Sequence, residues 1–191
     1  MSHLSDMIAR LCPNGVEWKR LGEVVDYEQP GKYIVRDTNY NDSYRTPVLT
    51  AGQTFILGYT DEPDNHYRAS VEKPVIIFDD FTTAFQWVDF EFKVKSSAMK
   101  LLTSKDDTIA SLKYIFYAMQ CIHYQPVDHS RHWIEKYSKF EFPLPPLEIQ
   151  REIVQVLDNF ANLTAELTKR KKQYEHYRDK LLSFPRAEAA K

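Results

Sequence analysis

The feature that most constrains this chain is the stretch from Pro143 to Phe184, PLPPLEIQREIVQVLDNFANLTAELTKRKKQYEHYRDKLLSF. Pro143-Leu144-Pro145-Pro146 cannot continue a helix, but Pro146 suits the start of one, and no Gly or Pro interrupts the segment from Leu147 to Phe184. Ile153, Phe160, Leu167, Tyr174 and Leu181 recur at heptad spacing, with Val156, Leu163 and Tyr177 at the second seam position and Arg170 as the single break. From Glu148 to Leu182 such a helix is roughly 50 Å long, far more than one small core needs. The pattern predicts a spacer that also carries a pairing surface.

Upstream, the chain reads as one mixed domain. A total of 191 residues with 43% apolar content can bury a single core. No run approaches the length of a membrane span, and Asp6 and Arg10 stand where a secretion signal would be apolar, so a cytoplasmic protein without a membrane segment is expected. Cys12 and Cys121 form no CxxC and offer neither a disulfide framework nor a zinc site. A net charge of -2 does not by itself advertise nucleic-acid binding, which must rest on local patches or partners.

Leu4, Met7, Ile8 and Leu11 share a helical face that ends at Pro13-Asn14-Gly15. Val16 to Trp18 and Leu21 to Tyr27 read as strand or turn, followed by a loop at Gln29-Pro30-Gly31. Short strands are predicted over Tyr33–Arg36, Thr46–Thr50, Thr54–Tyr59, Val75–Phe78, Phe85–Val88, Phe90–Val94 and Met99–Thr103. Val75-Ile76-Ile77-Phe78, apolar on both faces, is expected to be the most buried. Phe90 to Lys95 alternates, which predicts Phe90, Phe92 and Val94 inward and Glu91, Lys93 and Lys95 outward. Asp106-Asp107-Thr108 is expected to cap a helix carrying Ile109, Leu112, Ile115, Phe116, Met119 and Ile122 on one face. Trp133 to Tyr137 reads as a compact aromatic turn. The expected fold class is α+β: a curved, mainly β domain with packed helices over 1–142, one long coiled-coil-forming helix over 143–184, and a tail over 185–191.

Several groups of residues could carry chemistry. Asp79 and Asp80 at the end of a buried strand, followed by Glu91-Phe92-Lys93, imitate a nuclease site in which acids hold magnesium and a lysine steadies the attacking water. The plainer explanation is solvent-side patterning of an amphipathic strand. Cys121, His123, His129 and His132 do not have the spacing of a metal site. His129, Arg131, His132 and Trp133 instead suggest an exposed loop with donors and an aromatic plane for phosphates and bases. Loops around Thr50, Gln53 and Thr54 and around Thr82, Thr83 and Gln86 carry small hydrogen-bonding side chains, and Gln can address adenine in a bidentate way. Lys32 and Tyr33 add a basic, aromatic surface, while Lys93, Lys95, Lys100 and Lys169–Lys172 are further candidates for phosphate contact. No Gly-rich nucleotide loop follows a strand, and the one PP dipeptide lacks the flanking residues with which an adenine methyltransferase holds its target amine.

Long ordered stretches then point to a family. Gly15-Val16-Glu17-Trp18-Lys19-Arg20-Leu21-Gly22, Pro47-Val48-Leu49-Thr50-Ala51-Gly52, Val75 to Thr83, Pro143 to Gln150 and Tyr177 to Phe184 resemble one half of the specificity subunit of a type I restriction-modification system, most closely the amino-terminal half of the IC class. The resemblance implies a target-recognition domain and a spacer helix, with no catalytic residue, metal or cofactor of its own. It implies as partners double-stranded DNA, methyltransferase subunits that bind S-adenosylmethionine, and restriction subunits that use ATP and Mg. A second Gly-Val-Glu-Trp entry does not follow Phe184, so a half-subunit is expected, paired with a second copy.

The helix charges suggest the direction of pairing. Glu148 to Glu166 holds one Arg against four acids, net -3, and Leu167 to Phe184 holds six bases against two acids, net +4. An antiparallel pair sets unlike halves together, with Ile153, Val156, Phe160, Leu163, Leu167, Tyr174, Tyr177 and Leu181 as its apolar seam. The expected DNA-reading face comprises Lys32, Tyr33, Thr50, Gln53, Thr54, Thr82, Thr83, Gln86, Arg131, His132 and Trp133. The alternative is a small Mg-dependent endonuclease using Asp79, Asp80, Glu91 and Lys93.

Overall fold

A computed structural model describes residues 2–52, 54–128 and 130–184. Gln53, His129 and the tail 185–191 lie outside the described residues. The chain divides into two compact units, one ending at Arg151 and one beginning at Glu152.

The first unit opens with helix α1 (Ser2–Leu11), strand β1 (Trp18–Arg20), the single turn α2 (Leu21–Val24) and β2 (Val25–Glu28). Next come β3 (Thr46–Leu49), β4 (Ile56–Thr60), β5 (Val75–Asp79), β6 (Phe85–Val88), β7 (Lys93–Val94) and β8 (Met99–Ser104). Helix α3 (Leu112–Gln120), β9 (Glu141–Pro143) and the long helix α4 (Leu147–Leu181) complete the order. The strands form a four-stranded antiparallel sheet, β2-β8-β5-β6, a three-stranded sheet, β4-β3-β7, and the pair β1-β9.

Strand β5 is central because both its faces are apolar. Val75 and Ile77 enter a core shared with Leu49 and Val94 from the three-stranded sheet and with Phe92 just ahead of β7. Phe78 points the other way, with its ring 5.1 Å from Trp133 and 4.8 Å from Tyr137. Residues of alternate parity thus fill two cores, which is why the strand is a continuous apolar run. All four residues from Val75 to Phe78 are fully buried, as the sequence predicts.

Other expectations need correction. Tyr33–Arg36 forms no regular strand. Residues Gly31–Tyr33 make a 3-10 turn, and the Val35 amide then donates to Val94 O at 3.0 Å. Phe90–Val94 shortens to β7, and Lys93 is buried beside Phe92 rather than facing solvent. The helix expected to begin at Asp106 begins at Leu112, because Asp106 closes a local turn by accepting from Thr108 N at 2.8 Å. Ile109 is consequently exposed rather than part of a buried helical face.

Gln150 explains where α4 starts. Its Oε1 accepts from Ser111 N at 3.0 Å, and its Nε2 donates to Ile109 O and Pro145 O, each at 2.8 Å. A buried amide with three backbone partners ties the first turn of α4 to the proline segment and to the loop ahead of α3. Beyond Glu152, α4 has no buried residue, and Phe160, Leu163, Leu167, Tyr174 and Leu181 are all more than 60% exposed.

Candidate nucleic-acid interface

The turn between β5 and β6 is built by Asp79. Its Oδ1 accepts from Phe81 N at 2.9 Å and Thr82 N at 2.8 Å, an arrangement for which a short acidic side chain is suited. Thr83 completes the turn at φ 58°, an unusual conformation for a β-branched residue, with its amide donating to Asp79 O at 2.9 Å. Thr82 is left exposed at the tip.

Asp80 turns inward. Its Oδ1 accepts from Trp133 N at 2.8 Å, its backbone carbonyl accepts from His132 N at 2.8 Å, and its Oδ2 lies 3.0 Å from Lys100 Nζ. Asp80 and Lys100 are both about 1% exposed, so each charge is offset chiefly by the other, and the Asp80 carboxylate also by the Trp133 amide. Two backbone amides held by one residue fix the segment Arg131–Trp133 against the hairpin. Trp133 inserts its ring against Phe78, Tyr137 and Tyr27. His132 is fully buried, with Nδ1 3.1 Å from the Tyr124 hydroxyl.

Arg131 stands at the mouth of this arrangement. Its Nη1 is 3.5 Å from Asp80 Oδ2 and 3.4 Å from Ser97 O, its guanidinium carbon is 5.7 Å from the Phe81 ring centre, and its side chain is 49% exposed. Because Lys100 already offsets the Asp80 charge, Arg131 contributes a net positive charge at the surface beside Phe81. A half-exposed guanidinium with long, weak internal bonds is suited to phosphate oxygens.

The structure sets Arg131 against Asp80 and Phe81, in the turn that also carries exposed Thr82 and buried Thr83, and corrects the expected exposed loop: His132 and Trp133 are core residues. Gln86 sits on the same hairpin, opposite Ile77 in the β5–β6 pair. Of the other described candidates, Thr50 and Thr54 lie in the β3–β4 connection of the three-stranded sheet, and Lys32 and Tyr33 lie in the 3-10 turn that follows β2. Thr50 Oγ1 donates to Thr54 O at 2.9 Å across the β3–β4 connection, which leaves Thr54 exposed. Lys32 lies 2.8 Å from Glu28 Oε1, a hydrogen-bonded ion pair that raises its pKa, and the Tyr33 hydroxyl donates to the same oxygen at 3.2 Å.

Two lysines expected at phosphates are not available to them. Lys100 is the buried partner of Asp80. Lys93, 1% exposed, lies 2.7 Å from Glu62 Oε2 and donates to Asp64 O at 3.0 Å. Burial pushes the Glu62 carboxyl up, but Lys93 and the Asp37 and Arg36 amides together hold it down at about 2. The same contacts dismantle the nuclease alternative. Asp79 is committed to a turn, Asp80 to Lys100, Lys93 to Glu62, and exposed Glu91 to Arg68 at 3.9 Å. Among the described residues, no group of three or more His, Cys, Asp or Glu side chains is placed to hold a metal ion.

An α+β unit with a polar hairpin and a pinned arginine, followed by a long helix with an exposed apolar stripe, defines a class. Residues 13–174 match the family model of the type I restriction modification DNA specificity domain, and the chain belongs to that family. It is 52% identical over 201 aligned residues to the type I restriction enzyme EcoR124I/EcoR124II specificity subunit of Escherichia coli, an alignment covering 98% of this chain and 50% of that protein. A putative type I restriction enzyme specificity subunit of Haemophilus influenzae is 25% identical over 88% of this chain and 46% of its own length. The chain thus spans about half the length of these relatives. In fold it resembles the crystal structure of a type I restriction-modification S subunit from M. genitalium, with a TM-score of 0.64 at 14% identity over 87% of this chain and 45% of that one. A structure described as showing complex assembly and conformational transition of a type I system gives a TM-score of 0.60 at 17% identity, covering 94% of this chain and 50% of that one.

Proposed function

We propose that this chain is a non-catalytic DNA-recognition module, with residues 1–142 reading one half of a split site and residues 143–184 acting as the spacer helix. Two copies join through antiparallel α4 helices and present identical recognition units to an inverted repeat. Type I methyltransferase subunits supply S-adenosylmethionine chemistry on the target adenine, and restriction subunits join through them with ATP and Mg. The complex works in the cytoplasm. The family match over residues 13–174 carries this reading, and the β5–β6 hairpin with Arg131 supports it.

Within that reading, Arg131 contacts phosphate, while Thr82, Gln86, Thr50, Gln53 and Thr54 address bases. The test is binding to the preferred duplex by this chain together with its methyltransferase subunits. Arg131→Ala is expected to weaken binding to all sequences alike and to reduce the salt slope by about 1. Exchanging Thr82 and Gln86 is expected to change which sequence is preferred. If Arg131→Ala alters preference without changing the salt slope, this division of roles is wrong.

A further inference from the structure

Resting on the homodimer reading above, we infer that α4 pairs with a second copy in one particular antiparallel register, in which Leu163 of one helix faces Tyr174 of the other. In an antiparallel two-helix seam, residues of the first seam position face residues of the second. Acceptable registers therefore differ by whole heptads. Three are geometrically open to this helix: Leu163 can face Leu167, Tyr174 or Leu181.

The three differ in what they do with exposed apolar surface. When Leu163 faces Tyr174, Phe160 faces Tyr177 and Val156 faces Leu181, so these six half-exposed or exposed side chains all find apolar partners. When Leu163 faces Leu167, Leu181 falls opposite Ile149, which is 1% exposed and already enclosed in its own β unit. Leu181, 70% exposed, is then left in water. When Leu163 faces Leu181, the seam partner of Val156 lies beyond Leu181, where α4 ends.

Charge separates them in the same direction. The Leu163–Leu181 register sets Lys171 beside Lys171 of the second copy, which places like charges at the two-fold axis, and the Leu163–Leu167 register sets Glu166 beside Glu166, each already paired with Arg170 of its own helix. The Leu163–Tyr174 register instead brings Glu166 level with the Lys169–Lys172 block of the second copy. It also accounts for the one polar residue in the stripe. Arg170 falls next to the axis opposite Leu167, and its Nη2 and Nε already donate to Glu166 at 2.6 and 2.9 Å. Its charge is neutralised within its own helix, while its aliphatic stem can cover Leu167.

In this register the two Arg151 residues, where the β units end, lie about 50 Å apart along the coil, given the rise per residue of an α-helix. The spacer thus has a length set by residue pairing.

The test uses the full chain with Cys12→Ala and Cys121→Ala as background. Co-expressed copies carrying Leu163→Cys and Tyr174→Cys, each with a different tag, are treated with a short bismaleimide, and dimerisation is followed separately by light scattering. Near-complete crosslinking between the two tagged copies, with neither variant crosslinking to itself, is the expected result. A dimer in which Leu163→Cys crosslinks instead to Leu167→Cys or Leu181→Cys overturns the register and leaves the homodimer standing. Self-crosslinking of Leu163→Cys overturns the antiparallel direction. A monomer at micromolar concentration removes the homodimer on which the register rests.

Discussion

At the scale of single residues, the buried ion pairs organise the β unit. Lys100 is sealed against Asp80, and Asp80 in turn holds the amides that fix Arg131–Trp133. Removing one partner of such a pair strands the other charge in the interior, which costs far more than the pair itself contributes. Lys100→Ala is expected to destabilise the chain by about 3–5 kcal/mol in urea denaturation. A loss below about 1 kcal/mol would mean that the Asp80 charge is satisfied by other means.

Glu62 gives a pH signature. Its folded carboxyl sits at about 2 against an ordinary 4.5, so the folded state binds its proton less readily than the unfolded state does. Its stabilisation is complete above the unfolded value and is lost as pH falls from about 4.5 towards about 2, to the extent of about 3 kcal/mol. Glu62→Gln should flatten the acid limb of the stability profile relative to the parent chain over that window. Superimposable acid limbs would show that Glu62 is not the coupled group.

At the scale of elements, α4 and β5 are both legible in the sequence, for different reasons. The heptad stripe survives in α4 because no core of its own chain covers it. β5 is recognisable because both its faces are buried, which leaves no polar alternation. Phe90–Val94 misleads because alternation implies solvent on the outward face. Lys93 is outward on the strand yet covered by Glu62 and Asp64, which lie far back in sequence. Likewise Trp133 and His132 read as donors on a loop, since nothing local reveals that Asp80 draws them into the core. Thr82, Thr83 and Arg131 are legible as candidates, but the placement of Arg131 against the turn that carries both threonines depends on those same long-range contacts of Asp80.

The exposed stripe of α4 also makes a prediction of its own. Phe160→Ala or Leu163→Ala is expected to weaken dimerisation by about 1–3 kcal/mol, or roughly 5–150-fold in Kd, in analytical ultracentrifugation. Urea midpoints of the β unit should remain unchanged, because both positions lie beyond Arg151. An unchanged dimer would place the pairing surface elsewhere.

At the scale of the whole molecule, the proposed recognition unit, in which the described residues assemble no metal-binding cluster, is followed by a long helix with an exposed apolar stripe. Symmetry is the consequence on which the proposed function turns. Two identical units related by a two-fold axis must read the same half-site in opposite orientations. A map of methylated adenines in DNA from cells expressing this chain with its methyltransferase subunits reads that symmetry out. Methylation is expected within an inverted repeat of one half-site with a single fixed spacer. Methylation at a site with two unrelated halves, or at one half-site without its inverted copy, would contradict the symmetric dimer.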